Sequence, residues 1–177
     1  MYFSKAIILA FAASALALPA TNSKPVKRAG VLTATTYDNF QVSDGVAGNA
    51  LDEVKAKFPI DFNDLANVDP DDLAIILAAR VTAEDAETGT GGFNDAIDAA
   101  GSSTAAGKAL QVGKIKNKVL KLELEVLGLQ IQQAQSGKDN TDKIAAETTK
   151  LNTNIALDQK AAGQTSQSID FSGDDDA

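Results

Sequence analysis

Five lysines stand in one segment of the chain that contains no acidic residue, between Asp98 and Glu123. Three of them, Lys114, Lys118 and Lys121, fall on one strip of a helix, because side chains three or four positions apart share a face. Such a row of cations could bind an anionic wall polymer or a lipid headgroup. The plainer interpretation, which we prefer, is a solvated helix face whose lysines neutralise acidic neighbours.

The residue types on which most enzymes depend are scarce. The chain has no histidine, cysteine or tryptophan, which removes the usual nucleophile pairs and the commonest metal ligands. Carboxylate pairs could still hydrolyse glycosides, but 24 acidic residues produce such pairs by chance. The segment DFNDLANVDPDD resembles a calcium loop but lacks its central glycine, and Leu65 occupies a ligand position. The sequence therefore predicts a non-enzymatic protein that needs no cofactor or metal.

Residues 1–17 are typical of a secretory signal peptide. Lys5 supplies the positive charge, and the apolar run from Ala6 to Leu16 is too short to span a bilayer comfortably. Ala15 and Ala17 fit the small-x-small rule, which predicts cleavage after Ala17. We therefore expect a secreted, extracellular protein.

A second processing signal follows. Lys27 and Arg28 form a dibasic pair in a Pro-rich, polar stretch, which suits cleavage by a subtilisin-like protease with acidic subsites. This predicts a propeptide over 18–28 and a mature chain that begins at Ala29. Loss of residues 1–28 leaves 12 basic and 24 acidic residues, a net charge of −12. That charge disfavours nucleic acid and anionic membranes as partners.

The C-terminal residues 164–177 are predicted to form an acidic, disordered tail. The tail has no hydrophobic stretch of the kind that a GPI anchor requires. No segment after the signal is apolar enough to predict a transmembrane helix. The domain between propeptide and tail, 29–163, is predicted to be an all-α, single-domain bundle of about five helices.

The segment KVLKLELEVLGLQIQQAQ decides the fold class. Its apolar and charged residues alternate as in a strand, but steps of four and three residues also trace two apolar seams of one helix, about 150° apart. We therefore predict a long central helix over about 104–136. The first seam comprises Ala106, Leu110, Gly113, Asn117, Leu120, Leu124, Leu127, Ile131 and Ala134, and the second comprises Val112, Ile115, Val119, Leu122, Val126 and Leu129.

Four shorter helices are predicted around the long one. A helical stripe runs over 45–58, Asp69 and Pro70 begin a helix that reaches about 87, and a short helix covers 93–100. A short loop makes the last helix, about 141–162, antiparallel to the long one. We expect this last helix to cover the first seam and the N-terminal helices to cover the second. Asn117 is expected to be buried and to fix register, whereas Asp158 is expected to be exposed.

The second seam suggests a binding hypothesis. No disulfide ties down the N-terminal helices, so they could lift at limited cost. Opening would expose a binding strip suited to a lipid, a waxy surface or a partner helix. A closed, inert bundle is the preferred alternative. The strip comprises Val112, Val119, Leu122, Val126 and Leu129, with Lys114, Lys118 and Lys121 beside it.

Several longer strings carry a family resemblance: YDNFQVSDGVAGNALDEVKAKFPID, DLAIILAA with TAEDAET, AAGKALQVGKIKNKVLKLELEVLGLQIQ, and NIALDQKAAGQTSQSIDF. They resemble a family of cysteine-free small secreted proteins of filamentous fungi, which are uncharacterised and effector-like. The resemblance implies a fungal origin and an extracellular destination, in the cell wall or in a host apoplast, and it supplies no site residues. A second likeness, of architecture only, is to fungal hydrophobic-surface-binding proteins.

The sequence therefore predicts a secreted, non-enzymatic helical interaction protein, effector-like or associated with the cell wall or surface. Its partner would be an unknown protein, a wall polymer or a lipid. The alternative is an extracellular protein that binds lipid or hydrophobic surfaces through the seams of the long helix.

Overall fold

The computed structural model describes residues 29–172. The predicted processing residues Ala17, Lys27 and Arg28, and the last residues of the tail, 173–177, lie outside this range. Five helices of at least eight residues pack together, joined by one-turn helices and a two-stranded sheet. In chain order the elements are α1 (Tyr37–Phe40), β1 (Gly45–Val46), α2 (Ala50–Lys57), a 3-10 helix (Leu65–Asn67), α3 (Pro70–Thr88), α4 (Phe93–Ala100), α5 (Ala105–Ser136), α6 (Thr141–Lys160) and β2 (Thr165–Ser166).

The segment KVLKLELEVLGLQIQQAQ, whose pattern fits both a strand and a helix, lies within the helix α5, as predicted. The Thr104 hydroxyl caps α5 by accepting from the Gly107 N–H at 3.0 Å. Gly137, in the left-handed region with φ of 69°, ends the helix and donates its N–H to the Gln133 carbonyl at 2.9 Å. The all-α fold class, the long helix and its antiparallel pairing with α6 are therefore confirmed.

Both seams of α5 are buried over most of their length, although Ala106 and Ala134 in the first seam are exposed and Ile115 in the second is half-buried. The predicted positions of α3 and α6 were interchanged. The first seam packs in one cluster with α3, α4 and the α2 residues Val54 and Phe58. The second seam packs in another cluster with α6 and the α2 residues Ala50 and Leu51.

A polar contact holds α3 on the first seam: the Asn117 amide donates to the Ala83 carbonyl at 2.7 Å and accepts from the Tyr37 hydroxyl at 2.9 Å. Asn117 is thus buried and sets register, as predicted.

The start of α3 follows the predicted chemistry. Pro70 occupies the first helical turn, and an oxygen of Asp69 accepts from the Asp71 N–H at 2.9 Å. By contrast, α2 begins at Ala50 rather than near Gly45. Gly45 has a φ of 77° and Gly48 a φ of 119°. These positive values interrupt any helix there, and glycine adopts them without steric cost.

Asp158 was wrongly predicted to be exposed. It is 2% exposed, and its two carboxylate oxygens accept from the N–H groups of Gly48 and Ala50, both at 2.9 Å. These donors lie at the beginning of α2, where backbone N–H groups have no partner within the helix. Asp158 of α6 therefore caps α2 from more than a hundred residues away.

The tail prediction is also wrong for its first part, 164–172. Strand β2 pairs antiparallel with β1, the Gln167 N–H donates to the Ala109 carbonyl at 3.1 Å, and Ile169 is buried in the main core. A Cβ on Gly113 would overlap the Gln167 carbonyl oxygen, so only glycine lets this segment cross α5. Strand pairing and the burial of Ile169 thus order residues 164–172, although most of these residues are polar.

None of the helices within residues 29–172 combines the length and the apolar character that crossing a membrane requires.

Candidate functional site

The predicted binding strip is closed. Val112, Val119, Leu122, Val126 and Leu129 are all buried. Three of them form one cluster with residues of α2 and α6, and Val112 joins a second cluster with Ala161 just after α6. Because α3 does not cover this seam, lifting α3 would leave the strip covered. Exposure would require α6 and α2 to leave the long helix.

The three predicted lysines face α3 and α4. Lys118 Nζ lies 3.0 Å from Glu87 Oε1. Lys121 Nζ lies 3.6 Å from Glu87 Oε2 and 3.8 Å from Glu84 Oε1. Lys114 Nζ donates to the Asn94 amide oxygen at 2.5 Å. Two of the three cations therefore neutralise acidic neighbours, which is the interpretation that the sequence favours.

A fourth lysine, Lys116, has a structural role that the sequence did not reveal. Its side chain is buried, and Nζ donates to the carbonyls of Asp44 and Val46 at 2.8 and 3.1 Å. Nζ also lies 2.9 Å from Glu53 Oε2. Lys116 thereby joins α5, α2 and the β1 loop, and its burial removes it from any surface site.

The N-terminal residues 29–35 form a strap across the start of α3. Asp72 holds this strap: its carboxylate, only 3% exposed, accepts from the Val31 N–H at 2.9 Å and from the Leu32 N–H at 2.8 Å. From the sequence alone, Asp72 is only an acidic residue in the first turn of a helix, where it would favour the positive end of the helix dipole. The pair Val31–Leu32, two apolar residues soon after the dibasic site, was the available sign of an anchored segment.

An open apolar groove of about 480 Å³ lies beneath the strap. Residues 31–35 form one wall, and Phe40 and the end of α2 with Phe58 and Pro59 form another. The floor is one face of α3, at Ala74, Ile75, Ala78, Ala79 and Thr82. Ligand sites typically occupy roughly 300–1,000 Å³ and are lined mainly by apolar side chains with a few polar groups. The groove meets both criteria.

One positively charged side chain lines the groove. Of the described residues that line it, Lys57 alone carries a charge, and its Nζ donates to the Asn39 carbonyl at 2.7 Å. An ammonium group has three donors, so it can also donate to an anionic group of a ligand. The polar groups otherwise present are threonine hydroxyls of the strap and of α3.

A smaller cavity of about 60 Å³ adjoins the strap on its N-terminal side. Its lining includes Ala29 and the acidic residues Asp61, Asp64, Asp69 and Asp72. Within the described part of the chain, no three acidic side chains are grouped closely enough to hold a metal ion. What distinguishes the cavity is therefore its negative charge next to the first residue of the strap.

Two buried groups outside the groove have altered pKa values, both through burial. Burial raises the pKa of Tyr37 to about 12, although hydrogen bonds from Ser43 and Ser168 act in the opposite direction. Burial also raises the pKa of Glu123 on α5, against the opposing charge of Lys55. Neither residue lines the groove.

Comparison with known proteins gives one match. A family model described as "Domain of unknown function (DUF8454)" matches residues 32–170, which include most of the strap and all the helices of the described residues. No curated protein and no solved structure matches the chain.

Proposed function

The chain belongs to the family of the domain of unknown function DUF8454, and from that premise we propose that it is a secreted, non-enzymatic binding protein. Its ligand would be an apolar chain held in the groove beneath the strap. The observation that carries this proposal is the groove itself: about 480 Å³ of mainly apolar lining, already formed in the closed structure. Binding there needs no opening of the bundle.

The ligand class follows from the lining. Phe40, Phe58 and Ile75 offer apolar surface, which favours a hydrocarbon chain because its transfer from water is favourable. Lys57 favours one anionic group at the end of that chain. A long-chain fatty acid combines both features. The aliphatic floor and small alanines of α3 suit a slender chain better than a planar ring system.

The place of action stays a proposal that rests on the sequence. The signal over 1–17 and the resemblance to small secreted proteins of filamentous fungi support export from a fungal cell. The net charge of −12 after processing, from 12 basic and 24 acidic residues, supports solubility and disfavours nucleic acid. An effector-like or wall-associated role is consistent with a carrier that binds apolar molecules at a cell wall or at a host surface.

Titration with palmitate tests the proposal. Ala78→Leu puts a larger side chain on the groove floor at an exposed helical position, so folding should be retained. Palmitate affinity should fall about tenfold, the loss that corresponds to roughly 1.4 kcal/mol of blocked contact. Ala146→Leu, at an exposed position of α6, is the matched control and should bind like the wild type. Calorimetry measures all three proteins.

A second comparison tests the cation. Lys57→Gln should weaken palmitate binding several-fold, since it removes a charge-assisted hydrogen bond. The same substitution should leave binding of methyl palmitate, which has no charge, unchanged. Absence of palmitate binding by the wild type, or equal binding by the Ala78→Leu protein, would exclude the groove as the site.

A further inference from the structure

One buried carboxylate holds the N-terminal half of the strap. Asp72 is only 3% exposed, and it accepts from the Val31 N–H at 2.9 Å and from the Leu32 N–H at 2.8 Å. The backbone of Gly30 passes so close that an added Cβ would lie 3.0 Å from Asp72 Oδ1. Within the described residues, all the side-chain hydrogen bonds of Asp72 go to the backbone of the strap. Asp72 is therefore an anchor on α3 for this segment.

The rest of the strap has no such anchor before α1. Within the described part of the chain, no backbone hydrogen bond involves residues 33–35. The next fixed point is Thr36, whose carbonyl accepts from the Asn39 N–H at 3.0 Å and which precedes the buried Tyr37. A segment with few buried contacts opens at low free-energy cost. The strap can therefore swing about Thr36 once Asp72 releases it.

This movable segment is also one wall of the apolar groove. Residues 31–35 line the groove together with the end of α2 and one face of α3, whereas Asp72 does not line it. An apolar chain in the groove therefore touches Val31 and Leu32 only while Asp72 holds them in place. The hold of Asp72 on the strap and the occupation of the groove depend on each other.

We infer that Asp72 is a latch that sets the affinity of the groove, and that a bound ligand in turn keeps the latch closed. This inference rests on the proposed binding of an apolar chain in the groove. Coupling between two binding events is reciprocal, so the ligand stabilises the latched strap by the same factor by which latching tightens binding. Asp72 is then a positioning residue, because it contacts the strap and not the ligand.

The size of the effect follows from the population of the latched form. When only that form binds, the apparent dissociation constant is the intrinsic constant divided by the latched fraction. A variant that is latched about one-tenth of the time therefore binds about tenfold more weakly. Release of the latch also opens one side of the groove, so a long chain enters and leaves without separation of the helices.

Amide hydrogen exchange in the wild type, followed by NMR with and without palmitate, tests the coupling without any substitution. Saturating palmitate should slow exchange at Val31 and Leu32 about tenfold, because it shifts the strap toward the latched form. The Gly163 N–H, which donates to the Ala47 carbonyl at 3.0 Å, is the reference and should exchange at the same rate in both samples. Unchanged exchange at Val31 and Leu32 with palmitate bound would overturn the inference.

Two variants weaken the latch from its two sides. Asp72→Asn replaces the carboxylate, and Val31→Pro removes one of the N–H groups that it accepts from without altering α3. Each should weaken palmitate binding about tenfold. The matched controls are Asp71→Asn, at an exposed acid in the same helical turn, and Thr33→Pro, which removes an N–H that has no partner among the described residues. Both controls should bind palmitate as the wild type does.

The failures of the two proposals are distinguishable. Equal palmitate binding by the wild type, the Asp72→Asn protein and the Val31→Pro protein would overturn the latch but leave fatty-acid binding in the groove intact. Absence of palmitate binding by the wild type would overturn the proposed function, and the latch with it.

Discussion

At the scale of single residues, buried carboxylates join segments that are distant in sequence. Asp72 binds the backbone of the strap, and Asp158 binds the backbone at the start of α2. The sequence placed both on helices correctly but could not identify their partners, because a carboxylate in a helix looks the same whether it faces water or a backbone N–H. The one sign was position: Asp158 continues the apolar line of Leu151 and Ile155.

Glu123 makes a prediction about pH. Burial raises its pKa in the folded protein, so folding favours its protonated form, and the ionised form weakens the fold at neutral pH. Glu123→Gln should therefore raise the melting temperature at pH 7 by about 2 °C. The gain should shrink as the pH falls through the raised pKa and should vanish below the ordinary value of 4.5.

Thermal unfolding at several pH values measures this effect. Glu147→Gln, on α6, is a control outside the long helix and should not reproduce the pattern. A Glu123→Gln protein whose difference from the wild type is constant from pH 4 to pH 7 would show that burial of the charge is not the cause.

At the scale of elements, helix bounds could be predicted because their signals are local. Thr104 and Gly137 mark the ends of α5, Asp69 and Pro70 mark the start of α3, and the seams have helical spacing. Packing partners could not be predicted, because α3 and α6 both present apolar stripes that could cover either seam. The structure assigns α3 to the first seam, where Asn117 bonds to the Ala83 carbonyl. The sequence did not predict the short sheet, because a strand of two residues is too short to show an alternation of apolar and polar residues.

Leu124 tests the packing of the first seam. It lies on α5 and is fully buried in the main core, so Leu124→Ala should reduce the free energy of unfolding by roughly 2–5 kcal/mol. Leu157 of α6 is 42% exposed. Leu157→Ala should therefore cost well under half as much. Urea denaturation measures both, and equal losses would mean that the first seam is not the tightly packed core described above.

At the scale of the whole molecule, the long helix organises everything else. Helices α2, α3, α4 and α6 all pack on α5, and the last described residues cross it at Gly113. Both seams are thereby covered, which makes the interior an unsuitable ligand site in the closed state. The apolar groove that stays accessible lies at the periphery, between the strap, α2 and α3. Sequence periodicity could not find this groove because three separate segments form it.

The most direct measurement of ligand placement is a set of nuclear Overhauser contacts between ¹³C-labelled palmitate and the protein. If palmitate binds in the groove, we expect contacts from the acyl chain to Leu32, Ile75 and Phe58, which line it. Contacts to Leu122 and Val126 would contradict it, since they would place the ligand on the second seam and require α6 and α2 to open. The absence of contacts at saturating palmitate would also contradict it.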